Sequence, residues 1–173
     1  MKALAGRSLT MRPILPDDAL LLAQIFRASV EELGAEDYSA TQVEAWASAA
    51  DDEAAFAKSL SGQLTLVALL EGDPVGFASL KGNDKLDMLY IHPAAIGLGA
   101  ATMLVEALEK LAGARGAKKL SVDASDTAES FFKARGYAPQ SRNTVLRGDE
   151  WLANTTMEKP LGNAMPGEGS KLQ

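Results

Sequence analysis

The sequence predicts an α/β (α+β) fold, a mixed, mostly antiparallel sheet with helices on both faces. Three observations lead there. Apolar runs of strand length alternate with amphipathic stretches of helical period along the chain. In the middle, three such runs are separated only by the tight turns Glu71-Gly72-Asp73-Pro74 and Lys81-Gly82-Asn83-Asp84, which favour antiparallel hairpins. On either side, whole helices separate the strands, and such crossovers must pack on the faces of the sheet.

Taken in order, Leu9 to Ile14 reads as a short strand, and Pro16-Asp17-Asp18 starts a helix with acidic residues at its positive end. Leu20, Leu21, Ile25, Val30 and Leu33 recur at helical spacing and are expected on its buried face, with Gly34 as the stop. Ser39 opens a second short helix containing Val43 and Trp46. Asp51-Asp52-Glu53 opens a third, carrying Phe56 and Leu60 and ending near Gly62. Strands follow at Leu64 to Leu70, Val75 to Leu80 and Leu86 to Ile91. Leu98, Ala101, Leu104, Val105, Leu108 and Leu111 then mark one face of a helix that ends around Gly113 to Gly116. Lys119 to Asp123 reads as a strand and Ser125 to Arg135 as a helix closed by Gly136. Tyr137 to Leu146 and Trp151 to Lys159 read as the last strands. The order is β-ααα-βββ-α-β-α-ββ, with no internal repeat. Residues 1–8 read as a flexible N-terminal extension, 9–160 as a single domain, and 161–173, rich in Gly and polar residues, as a disordered tail.

Composition narrows the chemistry. A chain of 173 residues can bury a core without metal or disulfide staples. It has no cysteine, which removes thiolate nucleophiles and cysteine-based zinc sites. His92 is its one histidine, so a histidine-rich metal centre lacks ligands and no metal is expected. The net charge of −6 argues against nucleic acid as a partner and fits a cationic or amine substrate. No apolar run approaches the roughly 20 residues of a membrane helix. Met1 to Ser8 lacks the apolar region of a signal peptide, so no membrane partner is expected and the chain reads as cytoplasmic.

The segment from Leu89 to Leu104 points to a ligand class. A strand ends at Pro93, small residues turn, and a helix begins at once. Such a junction offers bare backbone N–H groups at a positive helix end, which suits a phosphate-bearing ligand. A Walker loop would need Lys and Ser or Thr where Ala100-Ala101 stand. A dinucleotide fold would want a third glycine and an earlier position in the chain. On the turn alone, an acyl-CoA diphosphate site and a tight connection whose glycines merely permit packing both remain open.

Pro93 to Ala101 resembles the acetyl-CoA signature of the GNAT (GCN5-related N-acetyltransferase) superfamily, a Gln or Arg followed by x-x-Gly-x-Gly/Ala. Gly99 and Ala101 fill its small positions, with Gly97 and Pro93 where many members have Gly and Pro. Ser125, Ala128, Phe132 and Gly136-Tyr137 are similar to the superfamily's second pattern, Asn-x-x-Ala-x-x-x-Tyr-x-x-x-Gly-aromatic. The resemblance runs from about Thr10 to Pro160. It implies the acyl-CoA N-acyltransferase fold and transfer of an acetyl group from acetyl-CoA to an amine acceptor. It also implies that the backbone of Leu89, Tyr90 and Ile91 holds the pantetheine arm. The diphosphate would meet residues Ile96, Gly97, Leu98, Gly99, Ala100, Ala101 and Thr102, with Ser125, Ala128 and Phe132 around the thiol end. Members often pair through C-terminal strands, which leaves a homodimer open.

Two positions depart from the pattern. Ile96 stands where Gln or Arg is usual, so the grip on phosphate there must come from backbone donors. Phe132 stands where many members have a Tyr that protonates the departing thiolate, and phenylalanine has no proton to give. Phe131 reads as core packing. Asp87 is the carboxylate nearest in sequence to the expected thioester and is the candidate base, or equally a solvated or paired Asp near the start of its strand; strand alternation places it with Leu89 and Ile91. His92 and Tyr90 are weaker candidates, and a chain of waters is an alternative. For the acceptor, Tyr38 and Trp46, with Glu31, Glu32, Glu36 and Asp37, outline an acidic, aromatic approach for a cation, or equally a solvated helix face and a packed Trp. A non-catalytic acyl-CoA-binding or sensing module is the alternative to an enzyme.

Overall fold

The protein is described by a computed structural model covering residues 7–162, so the expected tail beyond 162 and the extension before 7 lie outside the described residues. Its strands are β1 (Leu9–Pro13), β2 (Leu64–Leu70), β3 (Asp73–Lys81), β4 (Lys85–Ile91), β5 (Lys119–Ser125), β6 (Ala138–Arg147) and β7 (Glu150–Pro160). Its helices are α1 (Ala19–Leu33), α2 (Ala40–Ala47), α3 (Glu53–Ser61), α4 (Ala100–Ala114) and α5 (Glu129–Ala134). The strands form one sheet in the order β1-β2-β3-β4-β5-β7-β6. Among the described strands only β4 and β5 run parallel. The expected mixed, mostly antiparallel sheet is present, and the predicted element order matches.

Local chemistry explains the helix starts. Ser39 accepts from the Gln42 N–H while the Gln42 side chain returns to the Ser39 N–H, a capping box that opens α2. The Asp52 side chain caps α3 through the Ala55 N–H. Before α1, the Asp18 carboxylate accepts from the Leu15 N–H at 2.7 Å and pairs with Arg12 at 2.7 Å.

Two apolar layers sandwich the sheet. On one face α4 and α5 bury Leu104, Val105, Leu108 and Phe132 against Leu66, Ala78, Leu86 and Ile91. On the other, α1, α2 and α3 bury Leu22, Phe26, Val30, Val43 and Phe56 against Val67 and Phe77. The expected face of α1 is corrected: Leu20 and Leu21 are 57% and 39% exposed, whereas Leu22, Ile25, Phe26, Ser29 and Val30 are buried. The run Leu20-Leu21-Leu22 permits more than one helical phase, and the packing of Phe26 against Phe56 and Tyr90 fits the phase that buries Leu22. Leu111 likewise sits at the edge of its face, 36% exposed, while Ala112 is buried. The core also runs past the expected boundary at 160. Leu161 is buried, and its N–H donates to the Lys118 carbonyl at 2.7 Å.

Candidate active site

The sheet opens at its centre. The parallel pairing of β4 with β5 consists of Lys85 with Ser121 and Leu86 with Val122. Beyond it the strands diverge, leaving the edge of β4 from 87 to 91 without a strand partner on that side. A β-bulge lies at the point of divergence. Leu80 pairs with Leu86 and Ser79 with Met88, so Asp87 is the extra residue. A bulge adds a bend and local twist to its strand, which fits the parting of β4 from β5. Between the strands is a cavity of about 180 Å3, lined by Leu86, Asp87, Leu89 and Tyr90 on one side and Val122 to Ser125 on the other.

The bulge also interrupts the alternation of β4 between Leu86 and Met88. Leu86, Leu89 and Ile91 pack in the α4 layer, whereas Met88 and Tyr90 pack in the layer of α1 to α3. Leu86 and Met88, two residues apart, therefore lie on opposite faces. The Asp87 carboxylate is exposed toward the cavity and accepts from Gln63 Nε2–H at 2.9 Å.

Beside the cavity, β4 runs into the glycine turn. Gly97 and Gly99 have φ of 86° and 96°, values that favour glycine, and Gly99 is the residue before α4. No side chain caps this helix. Its first intrahelical bond is Met103 N–H to the Gly99 carbonyl, 3.0 Å. Every amide N–H from Gly97 to Thr102 is consequently without a hydrogen-bond partner among the described residues. Ala100 is buried in the α4 layer, with Leu98 and Ala101 packed against it, while Ile96 is 51% exposed and offers the turn no polar atom. The turn does receive a cation that sequence reasoning missed. Arg135 donates to Thr102 Oγ1 and, at 3.2 Å, to the Phe131 carbonyl, with its guanidinium 3.9 Å from the centre of the Phe131 ring.

The second motif sits at the cavity wall. Ser125 ends β5, and its carbonyl and Oγ both accept from the Ala128 N–H, at 3.0 and 3.2 Å. The helix expected from Ser125 therefore begins only at Glu129, after a turn. Phe132 is buried between Phe131 and Tyr137 in edge-to-face contacts, each at 5.1 Å, and lines the cavity together with Ala128. Tyr137 donates to Glu109 at 2.7 Å, and Lys159 pairs with the same carboxylate, so that buried phenol is occupied in structure.

On the other wall stand Tyr38, Trp46 and Tyr90. Tyr38 is committed: its hydroxyl donates to the Ala153 carbonyl at 2.6 Å and accepts from the Asp126 N–H at 2.9 Å. Trp46 Nε1–H donates to the Tyr90 hydroxyl at 3.4 Å. Burial among Phe26, Phe77 and Trp46 pushes the Tyr90 phenol up to about 12, so it stays protonated at neutral pH. The expected acidic approach is not assembled. Glu31, Glu32 and Glu36 do not line the cavity, and Asp37 accepts from Thr127 at its rim. His92 caps the turn after β4, its Nδ1 accepting from the Ala94 N–H at 3.0 Å. The tip of the β6–β7 hairpin, carrying Val145 and Arg147, completes this wall, a contribution with no local signature in the sequence.

The acetyltransferase (GNAT) domain family matches residues 34–161. The chain belongs to the GNAT acetyltransferase family. It is 31% identical over 150 residues to an uncharacterised N-acetyltransferase of Escherichia coli (strain K12), YafP, covering 87% of this chain and 95% of that protein. It is 63% identical to a GCN5-related N-acetyltransferase of Rhodopseudomonas palustris, with a TM-score of 0.87 over 88% of this chain and 96% of that one. The PaiA N-acetyltransferase of Thermoplasma acidophilum, solved in complex with coenzyme A, shares the fold at 21% identity. Its TM-score is 0.71 over 88% of this chain and 99% of that one.

Proposed function

We propose that this GNAT protein transfers the acetyl group of acetyl-CoA to a primary amine of a small molecule or peptide by direct attack. The observation that carries the reading is the run of unpartnered amides from Gly97 to Thr102 at the uncapped start of α4. Aligned N–H groups at a positive helix end suit a diphosphate, and Arg135 beside Thr102 adds a cation where Ile96 supplies none. The unpaired edge of β4 offers amide groups to the pantetheine arm, which delivers the thioester to the cavity.

The chemistry follows from what lines that cavity. An ammonium must lose a proton before it can attack, and Asp87 is the unpaired carboxylate facing the space. The amine nitrogen then bonds to the acetyl carbon, and backbone N–H groups near Leu89 or Tyr90 stabilise the oxyanion. Collapse breaks the C–S bond, the nitrogen releases its second proton, and the thiolate leaves. Phe132 provides no acid, so the thiolate takes its proton from water. Since an ordinary thiol titrates near ~8.5, it departs tolerably without help. Net, acetyl-CoA and an ammonium give an amide, the free thiol and one proton.

The buried, proton-less Phe132 also favours a second reading, an acyl-CoA-binding module that senses without turning over. Calorimetry with acetyl-CoA followed by thiol release with a panel of primary amines separates the two. Saturable binding with amine-dependent thiol release supports the enzyme, binding without release supports the sensor, and absence of binding contradicts both.

A further inference from the structure

Charge around the cavity is paired unevenly. Lys85 is neutralised by Asp123 at 2.8 Å, and Asp123 also accepts from Thr156. Arg142 is held by both oxygens of Asp126, at 2.6 and 3.0 Å, and donates to Thr155. Arg147 differs. It lines the cavity, yet no carboxylate lies within 4 Å of its guanidinium and no acceptor engages it among the described residues. Its partner across the hairpin, Glu150, is adjacent in register without forming an ion pair.

Arg147 is also on a fixed platform. The hairpin that carries it is tied to α2 by Gln42 Nε2–H donating to the Trp151 carbonyl at 2.7 Å, and to Tyr38 through the Ala153 carbonyl. Val145, two residues earlier on the same strand face, joins the layer that holds Trp46 and Tyr90. Arg147 and Asp87 both act on the charge state of Tyr90, in opposite directions, which puts the two charges within electrostatic reach of its ring. The chamber thus has a free cation on the hairpin wall and a carboxylate on the bulge of β4.

We infer that the acceptor is a small molecule bearing an anionic group as well as its amine, with Arg147 binding the anion while Asp87 receives the ammonium. The inference rests on the acetyltransferase reading above. It narrows the cationic or amine substrate that fits the net charge, because the carboxylates of Glu31, Glu32 and Glu36 are absent from the chamber. A guanidinium fork suits carboxylate and phosphate alike, so the anion is defined by its charge and the two sources are separated by test.

The test measures thiol release with acetyl-CoA for a panel in three arms. The first holds free amino acids with the amine at varied distance from the carboxylate, the second phosphoethanolamine, and the third the matching amino amides and aliphatic diamines. Anionic amines are expected to exceed their uncharged counterparts roughly 10- to 100-fold in kcat/KM, the range of a charge-assisted hydrogen bond. Preference for the first arm identifies a carboxylate, for the second a phosphate. Arg147→Gln should remove that preference by raising KM for the anionic amine, and Arg147→Lys should restore part of it. Acetyl-CoA affinity should be unchanged in both. Turnover that favours the third arm, or a preference that survives Arg147→Gln, overturns the inference and leaves the enzyme reading standing. Binding of acetyl-CoA with no release in any arm contradicts the enzyme reading and this inference with it.

Discussion

Gly99→Ala puts the glycine turn under direct test. Gly99 has φ of 96°, and an L-residue pays roughly 1–2 kcal/mol for the left-handed region. Space is not the obstacle: the added Cβ would lie 3.9 Å from Leu9 Cδ2, an ordinary contact. The variant should therefore fold. At about 2–4 °C per kcal/mol for a domain of this size, its Tm should fall by roughly 2–8 °C. The larger effect should be on ligand. Relief of the strain rotates the peptide planes on either side of residue 99, which carry two of the unpartnered amides. The Kd for acetyl-CoA in calorimetry should rise at least ~10-fold, equivalent to about 1.4 kcal/mol. Gly113→Ala is the control. It lies within α4 with nothing near its Cβ position, should gain up to about 1 kcal/mol of helix stability, and should bind acetyl-CoA as the parent does. If Gly99→Ala loses stability yet keeps its Kd, the amide array is not what holds the diphosphate.

Three further outcomes follow from the site and its surroundings. Phe132→Tyr restores a proton donor at the cavity wall and should raise turnover at neutral pH and shift the pH–rate profile; an unchanged rate and profile would show that no acid is missing. Asp87→Asn, which can keep its hydrogen bond from Gln63, should lower kcat by about 10-fold or more while leaving acetyl-CoA affinity intact, and an unaltered kcat rejects Asp87 as the base. Asp18→Asn should cost roughly 2 kcal/mol at pH 7 in denaturant unfolding, since it breaks a partly buried bidentate pair with Arg12. The Arg12 hydrogen bond holds the Asp18 carboxyl below its usual range. The difference from wild type should therefore be full above about pH 4 and vanish as pH falls through the native value; a gap that persists in acid contradicts this.

Much of the architecture was written in local sequence. Ser39 and Asp52 announce their helices because caps act within three residues, and Gly97 and Gly99 mark a backbone that other residues resist. Such features need no knowledge of the rest of the chain. The bulge at Asp87 was illegible because a bulge arises from the mismatch of two strands, and a period-two reading of one strand cannot reveal it. The outward turn of Leu20 and Leu21 depends on which helical phase meets Phe56 and Tyr90. Tyr38 lines the cavity, but that its hydroxyl is engaged by Ala153 and Asp126 was illegible, because both lie far away in sequence. Arg147 and Arg135 were missed for the same reason. Each acquires its place through tertiary contacts, the hairpin with α2 and the end of α5 with the start of α4.

The backbone from Gly97 to Thr102 is expected to receive the diphosphate of acetyl-CoA. Amide 1H–15N spectra of labelled protein titrated with coenzyme A read that backbone residue by residue. The largest saturable shifts are expected at the N–H groups of Gly97 to Thr102, with smaller ones along 87–91 of β4. Saturable binding that leaves Gly97 to Thr102 unmoved would contradict it.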